Sequence, residues 1–184
     1  LMGIVLREAN RLNHLVTDFL EYARPKPLQR GAVDLSGLIR EILQVVVQGG
    51  EPGKTAEIVF EEKSLLSAWG DSQQLRQVFW NVLKNAMDAV ADGEGRIDIE
   101  TRAVGEECVI VVRDNGQGIP PEVADRIFDP FFTTKATGTG LGLAMVHRII
   151  EDHGGQIQVE SQPGQGTQIV ITLQGCAERS ARAE

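Results

Sequence analysis

Past a proline pair, Pro25 and Pro27, segments with a two-residue apolar period and segments with a helical period interleave without strict alternation. That irregular order is the strongest constraint on the fold, because a doubly wound parallel sheet needs strand and helix in turn. VDLSGLIREILQVVVQ spaces its apolar residues as a helix does, behind a cap candidate in Asp34 or Ser36. AEIVFEE alternates as a strand. WGDSQQLRQVFWNVLKNAMDAV predicts a long helix capped by Asp71, with Leu75, Val78, Phe79, Val82, Leu83, Ala86 and Val90 on its buried arc. GRIDIETRAV and EECVIVVRDN predict an antiparallel pair turning at Gly105. LGLAMVHRIIEDH predicts a helix stopped by Gly154 and Gly155, and QIQVESQ with GTQIVITLQ a last hairpin around Pro163 and Gly164. The expected fold class is α+β: an α/β sandwich whose mixed, mostly antiparallel sheet is covered on one face by helices.

Ahead of the prolines, Val5, Ala9, Leu12, Val16, Phe19 and Ala23 alternate spacings of four and three. This heptad seam predicts a long coiled-coil-like helix that packs on partner helices rather than on a sheet. Three heptads bury too little to stand alone, so the partner is expected upstream or on another subunit, and the chain reads as a piece of something longer. Three parts are expected: the helix over residues 1–27, a compact domain over 28–174, and a short charged, disordered tail over 175–184.

A net charge of −8 with no run of Lys or Arg argues against non-specific nucleic-acid binding. No apolar run approaches the roughly 20 residues of a membrane helix, and no signal peptide is visible, so no direct membrane contact is expected of these residues. Cys108 and Cys176 lack metal-site spacing and read as free thiols in a reducing compartment, hence a cytoplasmic location.

Two asparagines, Asn81 and Asn85, lie one turn apart on the long helix and cluster with Asp88 within about 60° at the edge of its buried arc. An amide oxygen is a hard ligand suited to Mg²⁺, although amides that cap neighbouring loops explain the pair equally well on the helix alone. In DNGQGIP, Asp114 ends a strand and presents an acceptor for an exocyclic amine, and Gly116 and Gly118 allow close approach of a flat ring; an ordinary turn has the same wording. In TGTGLGLAMV, Gly138, Gly140 and Gly142 precede a helix, where backbone N–H groups attract phosphate. FDPFFTTK puts three phenylalanines and Lys135 on a short connection, which reads either as a lid that packs on a ligand or as a packed loop with a solvated lysine.

The order of these pieces (NxxxNA, DxGxG, FxPFFTTK, GTGLGLA, PGQGT) resembles the catalytic, ATP-binding domain of sensor histidine kinases in the GHKL ATPase superfamily, over about residues 33 to 173. The wording FDPFFTTK is similar to the nitrogen-regulation type of sensor kinase, and EANRLNHLVTDFLEYARP to the second helix of the family's dimerisation and phosphotransfer hairpin. The resemblance implies the GHKL fold, with ATP and Mg²⁺ as cofactors. Asn85 would be the metal ligand, and Asn81 would bond the phosphates or the metal's waters. Asp114 would read adenine, with Gly116, Gly118 and Ile119 shaping its pocket and Thr167 closing it. Lys135, Gly138, Gly140, Leu141 and Gly142 would hold phosphates, and Phe131 would join them from the lid. Asn81 and Lys135 take the catalytic roles.

The resemblance further implies a homodimer through the hairpin helices of the full-length kinase, a response-regulator partner of the nitrogen-regulation type, and compatibility with a membrane anchor elsewhere in the parent. Many members carry a lysine where this chain has Asp88. The family's acceptor histidine is followed by an acidic residue and a proline; His14, His147 and His153 lack that context, so the acceptor is expected outside this sequence. ATPases of the superfamily carry a glutamate base one turn before the metal-binding asparagine. Asn81 stands there and cannot take a proton, which favours transfer to histidine over hydrolysis. Residues 133–139 are expected to become more ordered when nucleotide binds.

Overall fold

The computed structural model describes residues 12–13, 16–17, 19–20, 22–23, 27–48, 56–135 and 138–176. In chain order the elements are β1 (Gly31–Asp34), α1 (Leu35–Gln48), β2 (Ala56–Glu62), β3 (Ser67–Gly70), α2 (Ser72–Ala89), β4 (Gly95–Val104), β5 (Glu107–Asp114), α3 (Pro121–Ala124), α4 (Gly142–Asp152), β6 (Gln156–Gln162) and β7 (Gly166–Gln174). Five strands form one sheet in the order β2-β4-β5-β7-β6, and only the β2–β4 pair is parallel. The mixed, mostly antiparallel sheet anticipated from the sequence is therefore present. The small antiparallel pair of β1 and β3 was not anticipated: GAVD and SAWG are four residues each, too short to display a two-residue period.

One sheet face turns Ile97, Ile99, Cys108, Ile110, Val112, Ile169, Ile171 and Leu173 into the core. Against it lie Leu35, Leu38, Ile39 and Ile42 of α1, the whole expected arc of α2, and Met145, Val146, Ile149 and Ile150 of α4. The opposite face carries charge. Glu100 pairs there with Lys63 at 3.1 Å and Arg102 at 3.0 Å, and Lys63 leads the groups that hold its carboxyl below the usual range. Helices thus need to cover only one face.

Of the two cap candidates for α1, Asp34 is the one used: its Oδ1 accepts the Gly37 N–H at 2.8 Å. Ser36 is buried and accepts the Leu66 N–H at 3.0 Å instead. For α2, Asp71 Oδ1 accepts from the N–H groups of Gln73 and Gln74 at 2.9 and 3.2 Å, while Oδ2 accepts from Gln29 at 2.9 Å. His153, the cap at the end of α4, is buried beside it. Its Nε2 accepts the Asp71 N–H at 2.9 Å, so Nδ1 carries the hydrogen and donates to Ile149 O at 2.7 Å. The linker, the start of α2 and the end of α4 meet at this one place.

The described amino-terminal positions are helical, and Leu12, Val16 and Phe19 of the expected seam are exposed; Val5, Ala9 and His14 lie outside the described residues. This stretch also touches the compact domain. Arg148 Nη1 of α4 donates to Tyr22 O at 2.6 Å, with the guanidinium 5.5 Å over the Tyr22 ring. At the other end the expected tail boundary moves: the N–H groups of Gly175 and Cys176 donate to Glu106 O and Ser67 O, both at 2.7 Å, so residues 175–176 continue the packed domain. Residues 177–184 lie outside the described set. Cys108 and Cys176 are free thiols. Among the described residues, no helix is long and apolar enough to cross a membrane.

Burial alone would push the Asp71 carboxyl up, but the N–H groups of Gln29, Gln74 and Gln73 outweigh it and hold the pKa below the usual carboxylate range. A depressed acid contributes stability above its unfolded pKa, about 4, and loses it as pH falls through the lower folded value. Asp71→Ala is therefore expected to lower unfolding free energy by about 1–2 kcal/mol at pH 7. In urea melts the gap from wild type should narrow below about pH 4; a gap that is constant with pH would contradict this account.

Candidate functional site

Three groups of residues meet along one edge of α2. The first joins Asn81 to the start of α4. A side chain at Gly142 would put its Cβ 3.3 Å from Asn81 Oδ1, so glycine leaves the room that the amide uses. The cap position of α4 is Leu141, fully buried, and among the described residues no side chain accepts from the first N–H groups of the helix. Unaccepted N–H groups at the positive end of an eleven-residue helix suit an anion.

The second group is a loop closed at its base. Phe131 N–H donates to Gly140 O at 2.9 Å. Gly140 has φ +69°, and a Cβ there would strike the Phe131 carbonyl carbon. Phe131 itself has φ +67°, a left-handed conformation that costs a non-glycine residue about 1–2 kcal/mol. Within the loop, Lys135 N–H donates to Thr133 Oγ1 at 3.1 Å, and Gly138 N–H to Lys135 O at 3.2 Å. Ala136 and Thr137 lie outside the described residues. Lys135 Nζ crosses to α2, donating to Asn85 Oδ1 and Asp88 Oδ2, each at 2.9 Å. The Phe131 ring lies elsewhere than expected. It sits 6.3 Å from the ring of Phe19 on the amino-terminal stretch, so only its backbone belongs to this group.

The third group is the turn after β5. Register pairs Asp114 with Thr167, the last pair of the β5–β7 ladder. Asp114 Oδ1 accepts the Gly116 N–H at 2.8 Å, and Gln117 N–H donates to Ala89 O at 3.1 Å, which seats the turn on the end of α2. Gly118 backs onto the Gln162 carbonyl. Ile119 N–H donates to Ser161 Oγ at 2.8 Å, and Ser161 Oγ lies 2.9 Å from Thr167 Oγ1. Burial pushes the Asp114 carboxyl above the usual carboxylate range, against the N–H groups of Gly116 and Thr167 and the Lys135 charge, which act to lower it.

The structure thus brings together Asn81 with Gly142 and its neighbour Leu141, Asn85 with Lys135, whose loop includes Gly138 and Gly140, and Asp114 with Gly116, Gly118, Ile119 and Thr167. From Asn81 to the Ala89 carbonyl is about 12 Å along the helix, at roughly 1.5 Å per residue. Among the described residues, no group of three or more His, Cys, Asp or Glu side chains could hold a metal ion alone. A divalent cation here would depend on Asn85 and on oxygens brought by a ligand. The sequence reading missed Ser161, which sits in an ordinary alternating strand, and, although it placed Asp88 beside the two asparagines, it missed that Asp88 engages a lysine 47 residues away in sequence.

Residues 70–175 match the family described as histidine kinase-, DNA gyrase B- and HSP90-like ATPase. The chain is 40% identical over 173 residues to the sensor histidine kinase ZraS of Escherichia coli strain K12, covering 94% of this chain and 37% of that protein. It therefore spans little more than a third of the length of that relative. Among solved structures it is similar to full-length ShkA in complex with AMPPNP, with TM-score 0.80 and 28% identity over 94% of this chain and 38% of that one. It is also similar to histidine kinase ThkA in complex with the response regulator protein TrrA, with TM-score 0.78 and 30% identity over 96% of this chain and 51% of that one.

An acid held above its ordinary pKa takes up a proton more readily folded than unfolded, so the Asp114 carboxylate costs stability at neutral pH and the cost fades as pH falls through the folded value. Asp114→Asn keeps an oxygen for Gly116 and removes that charge. Its urea stability at pH 7 is expected to match wild type within about 0.5 kcal/mol or exceed it, with any advantage shrinking towards acid pH. A clear loss of stability at pH 7 would mean that the charge is structural.

Proposed function

Given that the chain belongs to the histidine kinase-, DNA gyrase B- and HSP90-like ATPase family, we propose that it is the ATP-binding catalytic module of a sensor histidine kinase, serving transfer of the γ-phosphate to a histidine on an upstream hairpin helix. The observation that carries this reading is the arrangement along α2: the Asn81 amide beside the start of α4, whose first N–H groups no described side chain accepts, at one end, and a half-buried carboxylate in a tight turn at the other.

A nucleotide fits that arrangement. Asp114 and Thr167 would take the adenine edge, with Gly116, Gly118 and Ile119 forming the walls of its pocket. The first N–H groups of α4, with Gly138, Gly140, Leu141 and Lys135, would take the phosphates. Asn85 would hold Mg²⁺ through its oxygen, and Asn81 would bond the phosphates or the metal's waters. Bound Mg-ATP would supply the transferable phosphoryl group and the charge that offsets it. The chain's own part is to bind, orient and shield, since phosphoryl transfer is chiefly positioning and electrostatic stabilisation. Asn81 has no basic atom for deprotonating water, which supports transfer over hydrolysis.

Residues 1–27 are read as the second hairpin helix, through which the full-length kinase would form a homodimer, and 28–174 as the catalytic domain. A response regulator, of the nitrogen-regulation type by the wording FDPFFTTK, would receive the phosphoryl group on an aspartate. The cytoplasm is the proposed location.

The test is chemical. The chain is expected to bind Mg-ATP, with Asp114→Asn weakening binding by about 1.5–3 kcal/mol in titration calorimetry, since an amide N–H₂ then faces the adenine amine. Alone it should neither label itself nor turn over ATP quickly. A separate fragment carrying the upstream helix and its histidine should restore a label that is lost in acid. Steady ATP turnover without any such helix would favour the ATPase reading, and label on His14 would overturn the placement of the amino-terminal helix.

A further inference from the structure

Asp88 has no part in the nucleotide reading above, yet it holds one of that reading's phosphate ligands. Asn85 Oδ1 and Asp88 Oδ2 converge on the Lys135 ammonium, each 2.9 Å from Nζ. Two oxygens from successive turns of α2, one of them formally charged, thus enclose a cation that comes from a loop almost fifty residues away. Asp88 lies in the last turn of α2, where the helix dipole disfavours a carboxylate and favours a cation, and that turn contains no basic residue. Lys135 brings a positive charge to that turn from outside the helix.

The loop is built to allow this reach. Its base is fixed by Phe131 N–H on Gly140 O, and its interior by the turn among Thr133, Lys135 and Gly138. The long Lys135 side chain spans the rest. Its contacts with Asn85 and Asp88 take up the oxygen proposed for the metal and the ammonium proposed for phosphate. Two of the three ammonium donors are taken up in this way, and Asn85 must give up the ammonium before its oxygen can hold a divalent cation.

We propose that Asp88 is a latch: in the nucleotide-free protein its carboxylate parks the Lys135 ammonium on α2 and occupies Asn85, so that Mg-ATP binds only by exchanging Asp88 for phosphate as the partner of Lys135. The proposal rests on the reading of this site as an ATP site only for its effect on affinity; the parked lysine itself is a property of the free chain. Asp88 is in this sense a positioning residue that acts through Lys135. A site that must first break a contact binds more weakly by the fraction of molecules in which the contact is open. The pair is about a third exposed on each side, at 34% and 41%, so it is a modest latch.

The experiment has two arms on the same four proteins: wild type, Asp88→Asn, Lys135→Ala and the double variant. Without nucleotide, amide exchange at Thr133, Lys135 and Gly138 should speed up roughly two- to fivefold in Asp88→Asn. It should speed up no further in the double variant than in Lys135→Ala. With Mg-ATP, Asp88→Asn should tighten binding roughly two- to fivefold over wild type, and the same change on the Lys135→Ala background should do nothing. Equal tightening on both backgrounds would mean that Asp88 acts only by its field on the phosphates. Weaker binding in Asp88→Asn would mean that it helps to hold the metal. Either result, or unchanged exchange in the first arm, overturns the latch. If wild type fails to bind Mg-ATP while the exchange pattern holds, the latch stands and the ATP reading falls.

Discussion

The hydrogen bonds around Asp71 set the frame on which the site is built. One carboxylate serves the first turn of α2 through Gln73 and Gln74 and the linker through Gln29, while its own N–H is taken by His153 at the end of α4. Arg30 Nη2 adds a bond from the linker to Asp152 O at 2.5 Å. Neither α2 nor α4 can slide without breaking a buried bond, and a buried group left unpaired costs about 1–3 kcal/mol. The relative setting of these helices decides whether Asn81 meets the glycine-rich start of α4. A capping interaction ten residues or more from the amides in sequence therefore controls their geometry.

The sheet sets the other half of the site. Asp114 and Thr167 are partners only because β5 and β7 pair in one register, and a slip by a single residue would carry Asp114 to the charged outer face. The core residues Ile110, Val112, Ile169 and Ile171 fix that register, since any slip would turn them to solvent. Ser161 on β6 then stitches the turn to the last hairpin through Ile119 and Thr167. The two halves join where the turn rests on the Ala89 carbonyl.

Much of this was legible in the sequence because the governing forces are local or periodic. The buried arc of α2 has one register, Asp71 is a cap of ordinary chemistry, and the hairpins at Gly105 and Pro163–Gly164 follow from turn residues between alternating runs. What was not legible depends on distant partners. Asp34 caps α1 and Ser36 does not, because Leu66 claims the Ser36 hydroxyl thirty residues away. The strands β1 and β3 exist only as each other's partners, closed by the bridge from Ala68 to Gly175. The contact between Lys135 and Asp88 joins two motifs that the sequence reading had treated apart. The position of the Phe131 ring depends on Phe19, which lies on the far side of the proline pair.

The central claim is that one nucleotide lies along α2 between the Asp114 turn and the start of α4. Titrating isotope-labelled protein with Mg-ATP and following amide resonances tests it most directly. The account predicts saturable shifts at Gly116, Gly118, Gly140, Leu141, Gly142 and Thr167, with little change at Val109, Val111 and Arg113 on the outer side of the sheet. Shifts confined to that outer side, or no saturable shift at both ends of α2, would contradict it.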